Sequence, residues 1–324
     1  MLNAFVSDNC RLRRLDYPAA AELRTAIWID LLDPTPEETA MAARATGFEV
    51  PTQASVSEIE TSSRLASRNG TLYLSMPMVS MADGPRGVAA GFVVSAERLL
   101  TVRFAESRVF NAFMEHMPRG DTTWGSAAEI LAGLLEAIVD RLADGLEQVA
   151  AELDAMSHRI FALGAATGGR KQDDATLRHT LAELGRIGDL ISHIRESQSG
   201  AARLVPYIET AAAAWLPVGI IPRLHTLLHD TASIGDFDTH LNDKLQFLLD
   251  ATLGFISIAQ NNVMKVMTIA SVVGIPPVLV AGIYGMNFKF IPEYDWQWGY
   301  AFGLALIAVT TIIPLLIFRW RNWI

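Results

Sequence analysis

Residues 266–285 read VMTIASVVGIPPVLVAGIYG, a run of twenty positions without a charged side chain. A second run of twenty, GYAFGLALIAVTTIIPLLIF, occupies residues 299–318, and no run before residue 260 is comparable. A helix rises 1.5 Å per residue, so twenty residues span about 30 Å, the thickness of a bilayer's hydrocarbon core. Because core helices in water usually keep one polar face, the two runs predict a pair of membrane-spanning helices.

The residues around these runs are the types that anchor membrane helices at the interfaces. Aromatic residues stand on both sides of the second run, and basic residues follow it. The short loop between the runs carries Lys289 against Glu293 and Asp295. Positively charged flanks stay on the cytoplasmic side, so we expect both termini in the cytoplasm and the loop in the periplasm. The first fifteen residues lack the apolar core of a signal peptide, so we expect the large N-terminal part to stay inside. The expected location of the chain is the inner membrane.

The composition agrees with an acidic, water-soluble part attached to this hairpin. Of 324 residues, 51% are hydrophobic and 19% are charged, and 26 basic against 35 acidic residues give a net charge of −9. Nucleic-acid binding requires basic patches, so this balance argues against it and suits a protein that handles cations. The single cysteine, Cys10, excludes a disulfide framework and a Cys-rich zinc module. No HExxH, GxSxG or paired-cysteine motif occurs, so neither an enzyme nor a bound cofactor is expected.

The N-terminal residues have the pattern of a mixed α/β domain. Apolar runs bounded by Gly, Asp or Pro predict strands at 26–32, 71–79, 87–95 and 98–104. Between the first two, Thr35 as N-cap, Pro36 at the first helical position and Glu38 three residues after the cap predict the start of a helix. That helix is predicted to end at Gly47.

From residue 123 onward, helical spacing of apolar residues replaces the strand signals. The pattern predicts helices over 126–163 and 173–215, and a third that begins after Pro222 and continues into the membrane. Such a long helix requires partners of its own kind or the other helices of the chain. The predicted organisation is an α/β domain (1–122), a helical layer (123–221), a stalk helix (222–285) that includes the first span (266–285), a periplasmic loop (286–298), the second span (299–318) and a basic tail (319–324).

The first span carries a stripe of residues that suits a water-filled path. Two spans cannot enclose such a path, so transport would require several copies of the chain around one axis. Polar and small residues, mixed with apolar ones, recur at steps of three and four, at Asn261, Met264, Thr268, Ser271, Ile275, Val278 and Gly282. The same spacing is typical of a small-residue packing seam between membrane helices, and periodicity alone does not choose between the two interpretations.

The outer end of the first span carries the residues that point to a family. Tyr284-Gly285-Met286-Asn287-Phe288 is followed by Ile291-Pro292-Glu293, and Val263-Met264-Lys265-Val266 leads into the span. Together with the basic C-terminus, this arrangement resembles the CorA family of magnesium channels, whose signature is a Gly-Met-Asn triplet closing the first of two C-terminal spans. Residues 28–34, WIDLLDP, also look like the family's first strand.

The resemblance implies a funnel-shaped homopentamer in which each copy contributes its long first-span helix to the pore. By position it assigns the pore lining to Asn261, Met264, Met267, Ser271, Ile275 and Val278, and the selectivity filter to Gly285, Met286 and Asn287. It implies passage of hydrated Mg²⁺, and also of Co²⁺ or Ni²⁺, into the cytoplasm. Mg²⁺ dehydrates reluctantly, so a ring of neutral amide and carbonyl oxygens can bind its water shell without stripping it and still release it.

Some positions depart from the family's pattern. Lys289 stands where an acidic residue is common, and Val278 stands where a pore threonine is common. The acidic residues that bind regulatory Mg²⁺ between cytoplasmic subunits in the family do not transfer cleanly. The remaining candidates for that role are Asp230, Asp236, Asp238 and Asp243.

Two other functions stay open on the sequence. His225 and His229 are four residues apart on one predicted helix face, beside Asp230, and this spacing can bind Zn²⁺. The pair therefore suits a zinc transporter of the same superfamily, although we expect two surface histidines. The second possibility is a membrane-anchored scaffold or sensor, in which the hairpin only tethers the cytoplasmic domain.

Overall fold

The computed structural model describes residues 1–8, 11–15, 21–58, 60, 64–80, 85–117, 124–165, 174–287, 289, 291–321 and 323. Cys10, Phe288 and the predicted start of the helical layer at residue 123 lie outside the described residues. The chain forms two compact units. The first comprises Met1–Ala162 with Arg178–Leu249, and the second comprises Leu163–Leu177 with Asp250–Ile324.

A mixed β-sheet lies at the centre of the first unit. Within the described residues its strands are β1 (Leu2–Asp8), β2 (Arg11–Leu15), β3 (Trp28–Leu32), β4 (Leu65–Arg68), β5 (Thr71–Ser80), β6 (Arg86–Val94) and β7 (Leu99–Arg103). They lie in the order β2-β1-β3-β7-β6-β5-β4. Only β3 and β7 are parallel among these neighbours, and the other pairs are antiparallel. The four predicted strands are confirmed as β3, β5, β6 and β7.

The first long connection of the sheet contains helix α1 (Pro36–Thr46), which begins and ends at the predicted signals. The Thr35 hydroxyl accepts the Glu38 N–H at 3.2 Å, and the Glu38 carboxylate accepts the Thr35 N–H at 3.0 Å. At the other end Gly47 has φ 74°, a left-handed conformation that favours glycine. The capping box and the glycine stop are therefore confirmed.

Each face of the sheet is covered by a different set of side chains. On one face Ile29, Leu31, Leu100 and Val102 pack with the buried Ala42 of α1. A second short helix, α2 (Gln53–Val56), adds Val56 to this cluster.

The opposite face is aromatic. Phe5 stacks on Trp28 at 4.7 Å between ring centroids, Trp28 meets Phe113 of helix α3 (Arg108–His116) edge-on at 5.8 Å, and Phe113 meets Trp124 at 5.4 Å. The Trp124 ring lies against Gly133 of helix α4 (Ala127–Ala165), where an added Cβ would be 2.5 Å from the ring. A larger residue at position 133 would therefore displace the tryptophan.

A charged network is buried on this aromatic face where β3 and β7 pair. Asp30 is fully buried and forms a salt bridge of 2.9 Å with Arg103, which is 3% exposed. The Thr101 hydroxyl donates to the other Asp30 oxygen at 2.8 Å, and Trp28 donates its indole N–H to Thr101 at 3.1 Å. The Arg103 guanidinium lies 4.9 Å from the ring centre of Phe110. Both charges are thus paired by side chains from neighbouring strands, as burial of charge requires.

Three long helices complete the first unit and were predicted from apolar spacing. They are α4, α5 (Asp174–Ala211) and α6 (Ile221–Tyr284), and the last of these continues into the second unit. Helix α5 approaches the sheet at Gly200, where an added Cβ would lie 2.9 Å from Pro77. Salt bridges join the helices pairwise: Arg159–Glu183 and Arg186–Glu152 join α4 to α5, Arg223–Glu136 and Lys244–Asp154 join α4 to α6, and Arg195–Asp238 joins α5 to α6.

Acidic residues of α4 and α6 lie close enough to Asp140 of α4 to affect its ionisation. Partial burial and the carboxylates of Glu136, Asp144 and Asp230 raise the pKa of Asp140. A raised pKa in the folded chain means that ionised Asp140 destabilises the fold, and that this cost is lost as the pH falls below the carboxyl's ordinary value.

We therefore expect Asp140→Asn to raise the free energy of unfolding at neutral pH. Because the side chain is largely exposed, the gain should be about 0.5 kcal/mol. It should shrink as the pH falls and vanish below pH ~3, where aspartate is largely protonated in both states. Denaturant unfolding of the full chain at both pH values measures the effect, with the exposed Asp236→Asn as control. An equal gain at both pH values would contradict the assignment.

The second unit contains the apolar end of α6 and helix α7 (Gly299–Trp320), joined through a 3₁₀ turn at Pro292–Asp295. Both helices are long and apolar enough to cross a membrane, and none of the residues in their most apolar stretches is buried in the chain. Helix α6 continues through Pro276 and Pro277. Since proline lacks an N–H, the carbonyls four residues earlier, Val272 and Val273, lose their helical donors. Neighbouring helices or water must satisfy such carbonyls in a membrane.

Candidate functional site

The Gly-Met-Asn triplet lies at the point where α6 ends. The Gly285 N–H donates to the Ala281 carbonyl at 2.9 Å, and the Met286 N–H donates to Ile283 at 3.2 Å, so the helix is closed before Asn287. All three residues of the triplet are exposed. Among the described residues, the Asn287 side-chain amide has no hydrogen-bond partner. Its oxygen is therefore available to a hydrated cation or to water.

The predicted pore-lining residues are exposed along one side of α6. Asn261, Met264, Met267, Ser271, Ile275 and Val278 are each exposed, as are Thr268 and Gly282 of the sequence stripe. The large apolar members are among the most exposed side chains of the helix, with exposed fractions of 61% at Met264 and 71% at Val278. Apolar side chains of this size need a partner or a lipid to cover them.

The half-buried positions of the same segment lie on the other side of the helix. They are Ile269, Val273, Pro276, Pro277, Val280 and Tyr284. At 100° per residue these positions centre about half a turn from Ser271. The stripe and the covered side of α6 are therefore opposite faces of one helix, which leaves the stripe open to other copies of the chain or to a pore.

Hydrogen bonding separates the polar residues of the stripe into two kinds. The Thr268 hydroxyl donates to the Met264 carbonyl of its own helix at 2.8 Å. In the described part of the chain, the Ser271 hydroxyl and the Asn261 amide have no such bond. Ser271 and Asn261 can therefore offer polar groups to water or to an ion, whereas the hydroxyl proton of Thr268 is already used.

The loop after the triplet places its two acidic residues differently. Asp295 is exposed, whereas Glu293 is half-buried beside the first turn of α7. Gly299 makes this approach possible, because a Cβ at that position would collide with the carbonyl oxygen of Glu293. Lys289 is exposed. The loop thus presents one acidic and one basic side chain to solvent and turns the other acidic side chain toward α7.

A cavity of about 500 Å³ lies between the outer ends of α6 and α7. Glu293 lines it together with Tyr284, Trp296 and Tyr300. This cavity was not predicted from the sequence, where the aromatic residues suggest interfacial anchors and Glu293 suggests either a solvated loop or a group that concentrates cations at the pore mouth. The available signal was a carboxylate among the seven aromatic residues of positions 284–300.

The four candidate regulatory aspartates differ in their surroundings. Asp230, Asp236 and Asp243 are exposed on α6. Asp238 is buried, and its carboxylate pairs with Arg195 of α5 at 2.6 Å. One of its oxygens, Oδ1, has no partner among the described residues. Asp238 therefore holds α5 against α6 within one chain, and the other three are the aspartates open to a neighbouring copy.

The two histidines proposed from their spacing do not form a metal cluster. His225 contacts the Glu209 carboxylate of α5 at 3.0 Å. Across the described residues, no group of three or more His, Cys, Asp or Glu side chains is arranged to hold a metal ion. This pair of histidines therefore does not provide a zinc site that would support the interpretation as a zinc transporter.

Known proteins are similar to this chain over nearly its whole length. The model of the family described as CorA-like Mg²⁺ transporter protein matches residues 24–320. The magnesium transport proteins CorA of Pectobacterium atrosepticum and of Escherichia coli K12 are each 32% identical over 326 residues, covering 100% of both chains.

A solved structure also matches the fold over the full length of the chain. The CorA magnesium transporter of Methanocaldococcus jannaschii superposes with a TM-score of 0.73 at 18% identity, covering 100% of this chain and 99% of that one. At this identity the likeness shows the fold. The family match and the full-length relatives show more: the chain belongs to the family of CorA-like Mg²⁺ transporter proteins and is a membrane protein with two candidate spanning helices.

Proposed function

We propose that the chain forms a homopentameric transporter that passes hydrated Mg²⁺ into the cytoplasm. Family membership and full-length relatives named as magnesium transport proteins support this function. The observation that carries the path is the stripe of α6, which lies opposite the half-buried side of that helix. Because two spans cannot enclose a path, five copies arranged around one axis would each contribute this stripe.

The path begins at the triplet. Asn287 amides, with Gly285 and Met286, bind the water shell of the ion as a ring of neutral oxygens. Asn261 and Ser271 offer further polar groups, while Met264, Met267, Ile275 and Val278 form apolar rings that gate by dewetting. Two charges crossing 100 mV inward gain about 4.6 kcal/mol, so transport needs no ATP.

The proposal also includes the membrane location of the chain, the shape of its cytoplasmic part, its other transported ions and its regulatory sites. The chain lies in the inner membrane with both termini in the cytoplasm and residues 286–298 in the periplasm. The cytoplasmic part forms a funnel from the α/β domain (1–122), the helical layer (123–221) and the stalk. Co²⁺ and Ni²⁺ follow the same path as Mg²⁺. Regulatory cations bind between copies at Asp230, Asp236 or Asp243, which are the exposed candidates.

A flux panel in liposomes tests the function. Purified protein is reconstituted, and uptake of Mg²⁺, Co²⁺, Ni²⁺ and Zn²⁺ is measured side by side under an inside-negative potential, with and without a pH gradient. We expect Mg²⁺ uptake at least about tenfold above empty liposomes, independent of the pH gradient. Uptake of Zn²⁺ alone, driven by the pH gradient, would replace the proposal with a zinc transporter. No uptake of any cation would leave a membrane-anchored scaffold or sensor.

A further inference from the structure

The cavity between the outer ends of α6 and α7 has one polar end and one apolar end. The polar end contains Glu293 with the rings of Tyr284, Trp296 and Tyr300, and the apolar end contains Leu304 and Ile307 of α7. Its volume of about 500 Å³ is within the range of small-molecule sites. The two ends correspond to the interface and to the outer part of the hydrocarbon core.

Glu293 stands at the polar end because its backbone packs against the start of α7. Gly299 is buried and donates its N–H to Trp296 at 2.9 Å, which folds the loop back over the start of α7. In this position the Glu293 backbone lies directly against Gly299. Among the described residues, no basic side chain pairs with the Glu293 carboxylate. A half-buried, unpaired carboxylate beside aromatic rings calls for a cation.

The lining favours an organic ammonium group over a metal ion. Aromatic faces attract ammonium cations, and alkylammonium ligands are recognised by aromatic rings with or without a carboxylate. A divalent metal instead takes several oxygen ligands or keeps its water shell, and this cavity supplies one carboxylate among apolar surfaces. No described lysine or arginine lines the cavity. The cavity therefore has no basic side chain that could pair with the negative charge of an anionic lipid.

We propose that this cavity binds phosphatidylethanolamine from the outer leaflet. The ammonium group lies against Glu293 and the rings of Trp296 and Tyr300, and an acyl chain follows Leu304 and Ile307 toward the core. A lipid is favoured over a soluble amine because the apolar end continues onto the exposed surface of a spanning helix, where Leu304 is 50% exposed. The inference rests on the membrane insertion of α6 and α7 and does not require that the protein transport Mg²⁺.

Native mass spectrometry of the full-length protein tests the site. Delipidated protein in detergent is titrated with phosphatidylethanolamine or with phosphatidylglycerol of the same acyl chains, and bound lipid is counted per chain. We expect wild type to retain phosphatidylethanolamine preferentially, and Glu293→Gln to reduce that retention about fivefold while leaving phosphatidylglycerol unchanged. Asp295→Asn, which removes the exposed carboxylate two residues away, is the matched control and should behave as wild type.

A second variant keeps the test independent of folding at Glu293. Tyr300 is 83% exposed, so Tyr300→Leu should leave the fold intact and still weaken phosphatidylethanolamine retention by about threefold. Equal retention of the two lipids by wild type would overturn the proposal, as would unchanged retention in both cavity variants. Absence of any bound lipid would also overturn it and would indicate that a neighbouring copy fills the cavity. Because no cation gradient enters the measurement, its failure is distinct from a failure of Mg²⁺ transport.

Discussion

Replacing Asn287 with alanine is expected to abolish Mg²⁺ flux into liposomes while the protein still assembles. In the proposed pentamer this change removes five amides from the ring of neutral oxygens at the triplet, and the methyl groups left behind cannot bind the ion's water shell. Asn287 is exposed and follows the end of α6, so its side chain contributes little to folding. Uptake should fall at least about tenfold, toward the level of empty liposomes.

Asn262→Ala is the matched control for this experiment. Asn262 is also an exposed asparagine of α6, but it lies on the opposite side of the helix from Ser271. The Asn262→Ala substitution should leave Mg²⁺ uptake unchanged. Assembly of all three proteins is compared by size-exclusion chromatography with light scattering. Undiminished uptake by Asn287→Ala would remove the filter assignment and leave the family membership untouched.

The largest expected effect on stability comes from Asp30 in the β-sheet of the first unit. Asp30→Ala leaves the Arg103 guanidinium buried without its carboxylate, and breaking a buried pair in this way costs about 3–5 kcal/mol. The free energy of unfolding of the first unit should fall by that amount in denaturant titrations of the full chain. Hydrogen exchange of β3 and β7 should accelerate, because the network joins these two strands.

Two further variants make this prediction specific. Glu49 and Arg68 form a salt bridge of 2.8 Å, similar in length to that of Asp30 and Arg103, but both of its side chains are exposed. Exposed pairs contribute about 0–1 kcal/mol, so Glu49→Ala should change the free energy of unfolding only slightly. The double variant Asp30→Ala with Arg103→Met should regain part of the loss, because no unpaired charge remains. Equal effects of Asp30→Ala and Glu49→Ala would contradict the role of burial.

Much of the fold could be predicted because local signals and tertiary structure agree. The capping residues of α1 act within one turn, so Thr35 and Gly47 define the helix without knowledge of its surroundings. The long helices follow from apolar spacing, and the two spans from their length. Strands β1, β2 and β4 were not predicted. In β2, three arginines surround the buried Leu12, so the strand lacks an apolar run and depends on pairing with β1.

Less of the candidate site could be predicted, because its parts depend on contacts between distant residues. The triplet and the stripe are continuous in the sequence and were identified there. The burial of Asp238 depends on Arg195, 43 residues away, and no pattern around Asp238 indicates that partner. The cavity depends on Gly299 folding the loop onto α7. An acidic residue inside an apolar strand, as in Trp28-Ile29-Asp30-Leu31-Leu32, was the one visible sign that the sheet contains a buried charge.

The order of the sheet also determines how the protein avoids aggregation. An edge strand presents unpaired backbone groups to which a strand of another chain can add. Among the strands that the structure describes, the edges are β2 and β4. Arg11 and Arg13 are exposed on β2, and Arg68 is exposed at the end of the four-residue β4. Like charges on one edge and the shortness of the other disfavour strand addition. The sheet is therefore protected against strand addition between copies while the hydrophobic hairpin, which follows it in the chain, is still being synthesised.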